Sequence, residues 1–175
     1  MSHESCILTT KDFTIIEVMR ERCLGLDDPI RPLLDRKIAS AKIVFREDAP
    51  PTLATISSRV TYAINGGDTD TRILTHGHMN APTGLYLPIS TLRGIALLGL
   101  TEGQSFAFTN REGEHEDVLL TSVQYQPEAA RRDKEAAERF ATPEQRRLSF
   151  RVVGSPKQPA PTSAGNFDDP GPSAA

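Results

Sequence analysis

Four consecutive aliphatic residues, Ile95, Ala96, Leu97 and Leu98, stand between Gly94 and Gly99 in the stretch STLRGIALLGLTEGQSF, which runs from Ser90 to Phe106. The residues around them alternate apolar and polar as strands do, but this run refuses a period of two. Leu92, Ile95, Ala96 and Gly99 instead fit about a turn and a half of helix, with Gly99 at the C-terminal cap, where a left-handed residue is wanted. The stretch therefore dictates a short helix that lays an aliphatic face on a sheet and stops at a glycine, so that the chain can re-enter as a strand through QSFAF.

On either side of this helix the chain reads as sheet from Leu53 to Gln126. SSRVTYAI alternates Val60, Tyr62 and Ile64 against polar neighbours, NGGD supplies the positive-φ residues of a tight turn, and TDTRILTH resumes the alternation. GLYLPIS, QSFAFTN and DVLLTSVQY behave alike, with NREGE as a further turn. Four or five antiparallel strands with one short helix make a small α+β domain.

Before the sheet, residues 7–48 read as an antiparallel helical hairpin. Thr9 or Thr10 is placed to cap the first helix, with Asp12 in its first turn, where the helix dipole favours a carboxylate. Phe13, Ile16 and Met19 mark its apolar face, and Gly25 stops it. In GLDDPIRPL, Asp28 can cap a second helix with Pro29 at its first position and Pro32 one turn in. Ile30, Leu34, Ile38, Ala41 and Phe45 then repeat on one face, with Arg36, Lys37 and Lys42 turned elsewhere. Pro50 and Pro51 end it in an extended linker.

After the sheet, residues 127–150 form a charged, alanine-rich helical extension with a thin apolar face. Residues 151–175 carry proline, glycine and serine in place of core formers, the composition of a disordered tail.

Composition limits the functions open to such a chain. Its 175 residues, 38% hydrophobic, allow one real core plus an appendage. A net charge of −3 provides no overall positive field to recruit nucleic acid nonspecifically, and no direct sequence-specific nucleic-acid binding is expected either. No apolar run approaches the ~20 residues that span a bilayer, and MSHESCILTTKDF lacks a basic region followed by an apolar block, which points to the cytoplasm and away from membranes. Cys6 and Cys23 form no CxxC and read as reduced thiols. His76 and His78 in HGH, and His115 in EGEHED, have no third ligand at metal spacing, so no metal or other cofactor is expected.

The residues ISSRVTY, LPISTLRGIALLGLTEGQSFAF and LLTSVQYQPEAA together resemble the C-terminal domain shared by the bacterial Gre transcription factors and the nucleoside diphosphate kinase regulators of the Rnk type. The resemblance covers roughly residues 7–130, and YQPEAA directly after the last strand, with a short hairpin, is closer to the Rnk type. It implies a helical hairpin, or short coiled coil, followed by an FKBP-like domain. It also implies a partner, RNA polymerase, gripped at the rim of its secondary channel while the hairpin points toward the active centre.

Gre cleavage factors carry at the hairpin tip an acidic pair spaced Asp-x-x-Glu that helps hold a magnesium ion, an arrangement suited to a hard cation that activates water. Here Asp27 is followed three residues later by Ile30, and Asp28 by Arg31, so the spaced pair is absent. Asp27 and Asp28 can be a substitute tip or a turn residue and a helix cap, and the pattern favours the second reading. About 14 residues per arm give a hairpin of roughly 20 Å, short for deep insertion.

The resemblance aligns Ser90, Thr91 and Leu92 with the family's polymerase-binding stretch, with Leu92 where the family has proline. Ser90 or Thr91 can equally cap the short helix. The sequence thus leads to a non-enzymatic, polymerase-binding regulator, with a cleavage factor using Asp27 and Asp28 as the alternative. An FKBP-like prolyl isomerase is a third, disfavoured by the absence of Trp and an aromatic content of 6%.

Overall fold

The protein was analysed as a computed structural model, which describes residues 6–22, 28–77 and 84–140. Residues to Arg139 form one compact unit, and 140–175 fall in a second. The expected tail at 151–175 and the extension beyond Phe140 lie outside the described residues, as do Cys23, Asp27 and His78.

The first unit is a mixed α+β fold. A five-stranded sheet has the order β5-β4-β3-β7-β6, built from β3 (Arg59–Ile64), β4 (Thr69–Thr75), β5 (Tyr86–Pro88), β6 (Ser105–Thr109) and β7 (His115–Tyr125). Asn65 and Gly66 both have positive φ, which closes β3 onto β4 in the tight turn that NGGD predicts. One pair departs from the antiparallel expectation: β4 and β5 run parallel, Ile73 opposite Tyr86. No two-residue hairpin loop joins these strands, so nothing local forces them antiparallel.

Ahead of the sheet the chain runs β1 (Cys6–Thr9), α1 (Thr10–Arg22), α2 (Arg31–Ser40) and β2 (Ala41–Val44). The expected helix through Ala41 and Phe45 ends instead at Ser40, and residues 6–9 and 41–44 pair as two parallel strands. Ile43 and Val44 are β-branched residues with strand propensity that a helical reading of Ile38 and Ala41 overlooks, and Phe45 is exposed. Thr9 caps α1 as expected, its hydroxyl accepting from the Asp12 N–H at 3.1 Å. Asp28 caps a turn one step earlier than expected: its Oδ1 accepts from Ile30 N–H at 3.1 Å, and the helix begins at Arg31. Pro32, not Pro29, therefore takes an early helical position, where its missing N–H costs nothing.

A single cluster of buried side chains joins these parts. Cys6 and Leu8 of β1, Ile16 of α1 and Leu33 and Leu34 of α2 pack with Val60, Tyr62, Phe106, Val118 and Leu120 of the sheet. At its centre is α3 (Leu92–Leu97), whose Ile95, Ala96 and Leu97 are fully buried, as is the following Leu98. Gly99 has φ +81°, and a Cβ there would meet Leu8 Cδ2 at 2.8 Å and Ile7 O at 2.9 Å. Glycine thus ends the helix and lets β1 pass against it. Among the described residues the last element is α4 (Pro127–Phe140).

Candidate functional site

The local chemistry of α3 builds the wall of a groove. Thr91 sits in extended backbone ahead of the helix, its Oγ1 accepting from Gly94 N–H at 3.1 Å and donating to Pro88 O at 2.7 Å. The cap half of the sequence reading of Thr91 is thus what the structure contains. Gly94 lies directly on the end of β5: a Cβ on it would collide with Pro88 O and come within 2.8 Å of Pro88 C. This approach, open only to glycine, draws the start of α3 onto the sheet edge and leaves Ser90 and Thr91 exposed, with Leu92 partly buried.

Opposite α3 stands the β6–β7 turn. Asn110 Oδ1 accepts from Glu112 N–H and Glu114 N–H, at 2.9 and 3.0 Å, and so shapes the turn. Arg93 Nε and Nη2 donate to the two carboxylate oxygens of Glu116 at 2.8 and 3.1 Å, and Asn110 Nδ2 donates to Glu116 Oε1 at 3.1 Å. The guanidinium of Arg93, and then the Asn110 amide, hold the Glu116 carboxyl below the usual carboxylate range against the cost of burial. A bidentate pair of this kind fixes the helix start against the hairpin.

Between these walls lies a cavity of about 490 Å³. Ile30, Leu87, Leu92 and Phe108 give it an apolar surface, and Ser90, Thr91, Asn110, Arg111 and Glu112 a polar border. All three residues aligned with the family's polymerase-binding stretch line it, and so does Ile30, two residues after Asp28. Asp28 itself spends its carboxylate on the turn, and Asp27 lies outside the described residues.

The position of Ile30 follows from how α2 is fastened. Lys37, expected to point away from the core, is fully buried. Its Nζ donates to Ala96 O and Leu98 O, each at 2.7 Å, and lies 4.3 Å from the centre of the Phe106 ring. The last carbonyls of a helix lack intrahelical donors and carry the negative end of its dipole, so an ammonium is the natural partner there. Arg36 takes the outer side, with Nη1 donating to Ala107 O at 2.9 Å. A legible signal existed: Ile30, Leu33, Leu34 and Lys37 follow three- and four-residue spacing, which sets Lys37 on the buried face. Sorting by residue type hid it. Nothing in the sequence links Arg93 to Glu116, which are 23 residues apart.

Among the described residues no three His, Cys, Asp or Glu side chains gather as a metal site, and no helix is long and apolar enough to cross a membrane. His76 and His115 are exposed. The chemistry on offer is an apolar recess with a charged, hydrogen-bonding border, which suits recognition of a protein surface.

No protein-family model matches the chain. It is 27% identical to the protein named Regulator of nucleoside diphosphate kinase of Escherichia coli K12 over 131 residues, which are 74% of this chain and 96% of that relative. The protein of that name from Shigella flexneri gives the same values. Among solved structures, a prokaryotic transcription elongation factor GreA/GreB from Nitrosomonas europaea is similar with a TM-score of 0.53 at 25% identity, covering 69% of this chain and 98% of that one. The resemblance read from the sequence is borne out by these two independent likenesses, one to a nucleoside diphosphate kinase regulator and one to a Gre-type factor.

Proposed function

We propose that this protein is a transcription regulator of the Rnk type that works in the cytoplasm by occupying the rim of the RNA polymerase secondary channel, without stimulating transcript cleavage. Its similarity to a nucleoside diphosphate kinase regulator and to a GreA/GreB-type elongation factor supports a transcription-factor role. In this reading the sheet is the FKBP-like half of the family's plan, and the α1–α2 pair is its hairpin, shortened. Ser90, Thr91 and Leu92 contact the polymerase, with the apolar recess behind Leu92 receiving one of its side chains.

The observation that carries the finer reading is the seat of Ile30. The start of α2 forms part of the same groove wall as Ser90 and Leu92, and Lys37 and Arg36 tie the helix to α3 and β6. In this reading the second arm of the hairpin begins in the docking groove, and the short arms of α1 and α2 do not support a deep reach into the channel. Asp28 is engaged in its own turn, so the protein competes for the rim and contributes no carboxylate pair.

Transcript cleavage by a backtracked RNA polymerase complex tests this. Added alone, the protein leaves the transcript intact; added with a cleavage factor, it inhibits that factor in proportion to its concentration. Stimulated cleavage that disappears in Asp27→Asn/Asp28→Asn would establish the cleavage-factor reading instead.

A further inference from the structure

Asp12 is the one acidic residue in the first turn of α1, and it is 1% exposed with neither carboxyl oxygen in a hydrogen bond. Its surroundings come from three places in the chain. Thr9 of β1 and the Ile56 N–H lie beside the carboxyl and offset part of its cost without reaching bonding geometry with its oxygens. Glu128 approaches from α4, and Lys11 from α1 itself. The 53–58 segment presents hydroxyls and N–H groups here and no ionisable side chain.

Glu128 is also the one buried side chain of α4. Its Oε2 accepts from Thr55 Oγ1 at 2.7 Å, and Thr55 Oγ1 lies 2.9 Å from Ser58 Oγ. Just before the helix, Gln126 Nε2 donates to Pro50 O and Leu53 O at 2.7 and 2.8 Å. The charged helix is therefore seated by polar groups, with a carboxylate where an apolar residue would normally plug the core, and a second, unpartnered carboxyl stands beside it. Burial and the nearby charge of Glu128 both disfavour the ionised form of Asp12.

We propose that Asp12 and Glu128 form a proton-operated latch: α4 is seated on the 53–58 segment while Asp12 holds its proton, and ionisation of Asp12 loosens α4 from it. Gln126 is neutral and keeps its two bonds in either state, so it serves as the hinge. Burial first, and the neighbouring Glu128 after it, push the Asp12 carboxyl up to about 6 from an ordinary value of 3.8. The sign follows: the closed latch is favoured at low pH, and that preference is lost as pH rises through the raised value.

Amide hydrogen exchange on the full chain, normalised to unstructured-peptide rates at each pH, reads the latch directly. Between pH 5.0 and 7.5 the opening equilibrium of α4 and the first turn of α1 should rise about tenfold, while β3 and β7 hold constant. Asp12→Asn should remove the pH dependence and leave α4 protected at pH 7.5. Equal change in α4 and in β3 and β7, or an unchanged pH dependence in Asp12→Asn, overturns the proposal. Should that variant fail to fold, carboxyl ¹³C titration of Asp12 in the unmodified protein decides. A midpoint near 6 supports the latch, and one near the ordinary aspartate value overturns it.

Discussion

Replacing Lys37 by methionine isolates the contact that fastens α2 to α3. The side chains have similar length and volume, so the substitution removes the ammonium and its two 2.7 Å bonds to Ala96 O and Leu98 O while leaving the space filled. Charge-assisted bonds contribute about 1.5–3 kcal/mol each, and two carbonyls at a buried helix end would be left to pair with nothing. Against this stands the recovered cost of burying an ammonium, several kcal/mol. The bonds are short and the cation also faces the Phe106 ring at 4.3 Å, so the balance favours lysine by about 2 kcal/mol. Lys37→Ala adds a cavity at a site of 0% exposure and should cost about 5 kcal/mol. Urea unfolding at pH 7, with unchanged m-values, measures both. A methionine variant as stable as the original, or more stable, would refute the reasoning: the lysine would then be a buried charge that the fold tolerates and not a tie that holds it.

Gly94→Ala should abolish soluble folded protein, because its Cβ would meet the backbone of Pro88 and Ile89 and neither can yield; expression followed by circular dichroism checks it, and a folded variant would mean that the helix start can lift off β5. Glu116→Gln should lower stability by less than about 1 kcal/mol at pH 7, since Arg93 is half exposed. Because its partners depress the Glu116 pKa, that contribution is present above the ordinary glutamate range and lost as pH falls through the lowered value. The variant and the original should therefore converge in denaturant midpoint as pH falls below that lowered value. If the proposed docking holds, Leu92→Glu, which puts a charge against the apolar recess, should weaken binding to RNA polymerase at least tenfold, by about 1.4 kcal/mol or more, with the melting temperature nearly unchanged; binding at full strength would remove the groove from the proposed interface.

What was legible in the sequence tracks how local the cause is. The NGGD turn, the Thr9 cap, the short glycine-stopped helix and the alternation of β6 and most of β7 each follow from residues within a few positions of one another, and each is present; in β3 a register shift at Thr61/Tyr62 breaks the alternation, so that Ala63 is buried and Ile64 only partly so. The parallel pairs β1–β2 and β4–β5 were not legible, because strand direction depends on how the intervening chain returns. The same holds for the groove. Ser90, Thr91 and Leu92 could be picked out by resemblance, but Arg93 to Glu116 and Lys37 to Ala96 span 23 and 59 residues, and only folding brings them together. Asp12 shows the opposite failure: a first-turn carboxylate reads as a favourable dipole partner, yet burial outweighs the dipole and raises its pKa.

The two ends of α3 then explain why so short a helix can organise a site. Its N-terminal end carries Thr91, Leu92 and Arg93 into the groove, and its C-terminal carbonyls hold Lys37. Lys37 lies seven positions after Ile30, about 10 Å along a helix. The α2 segment joining them is therefore a strut of fixed length, tied at one end to the back of α3 and lining the groove at the other. A helix of six residues has little stability of its own. Gly94 on Pro88, Gly99 on β1 and Lys37 on the terminal carbonyls set its position from three sides. The groove's shape is thus a property of the core. This is what a docking surface requires if it is to bind without first paying to order itself.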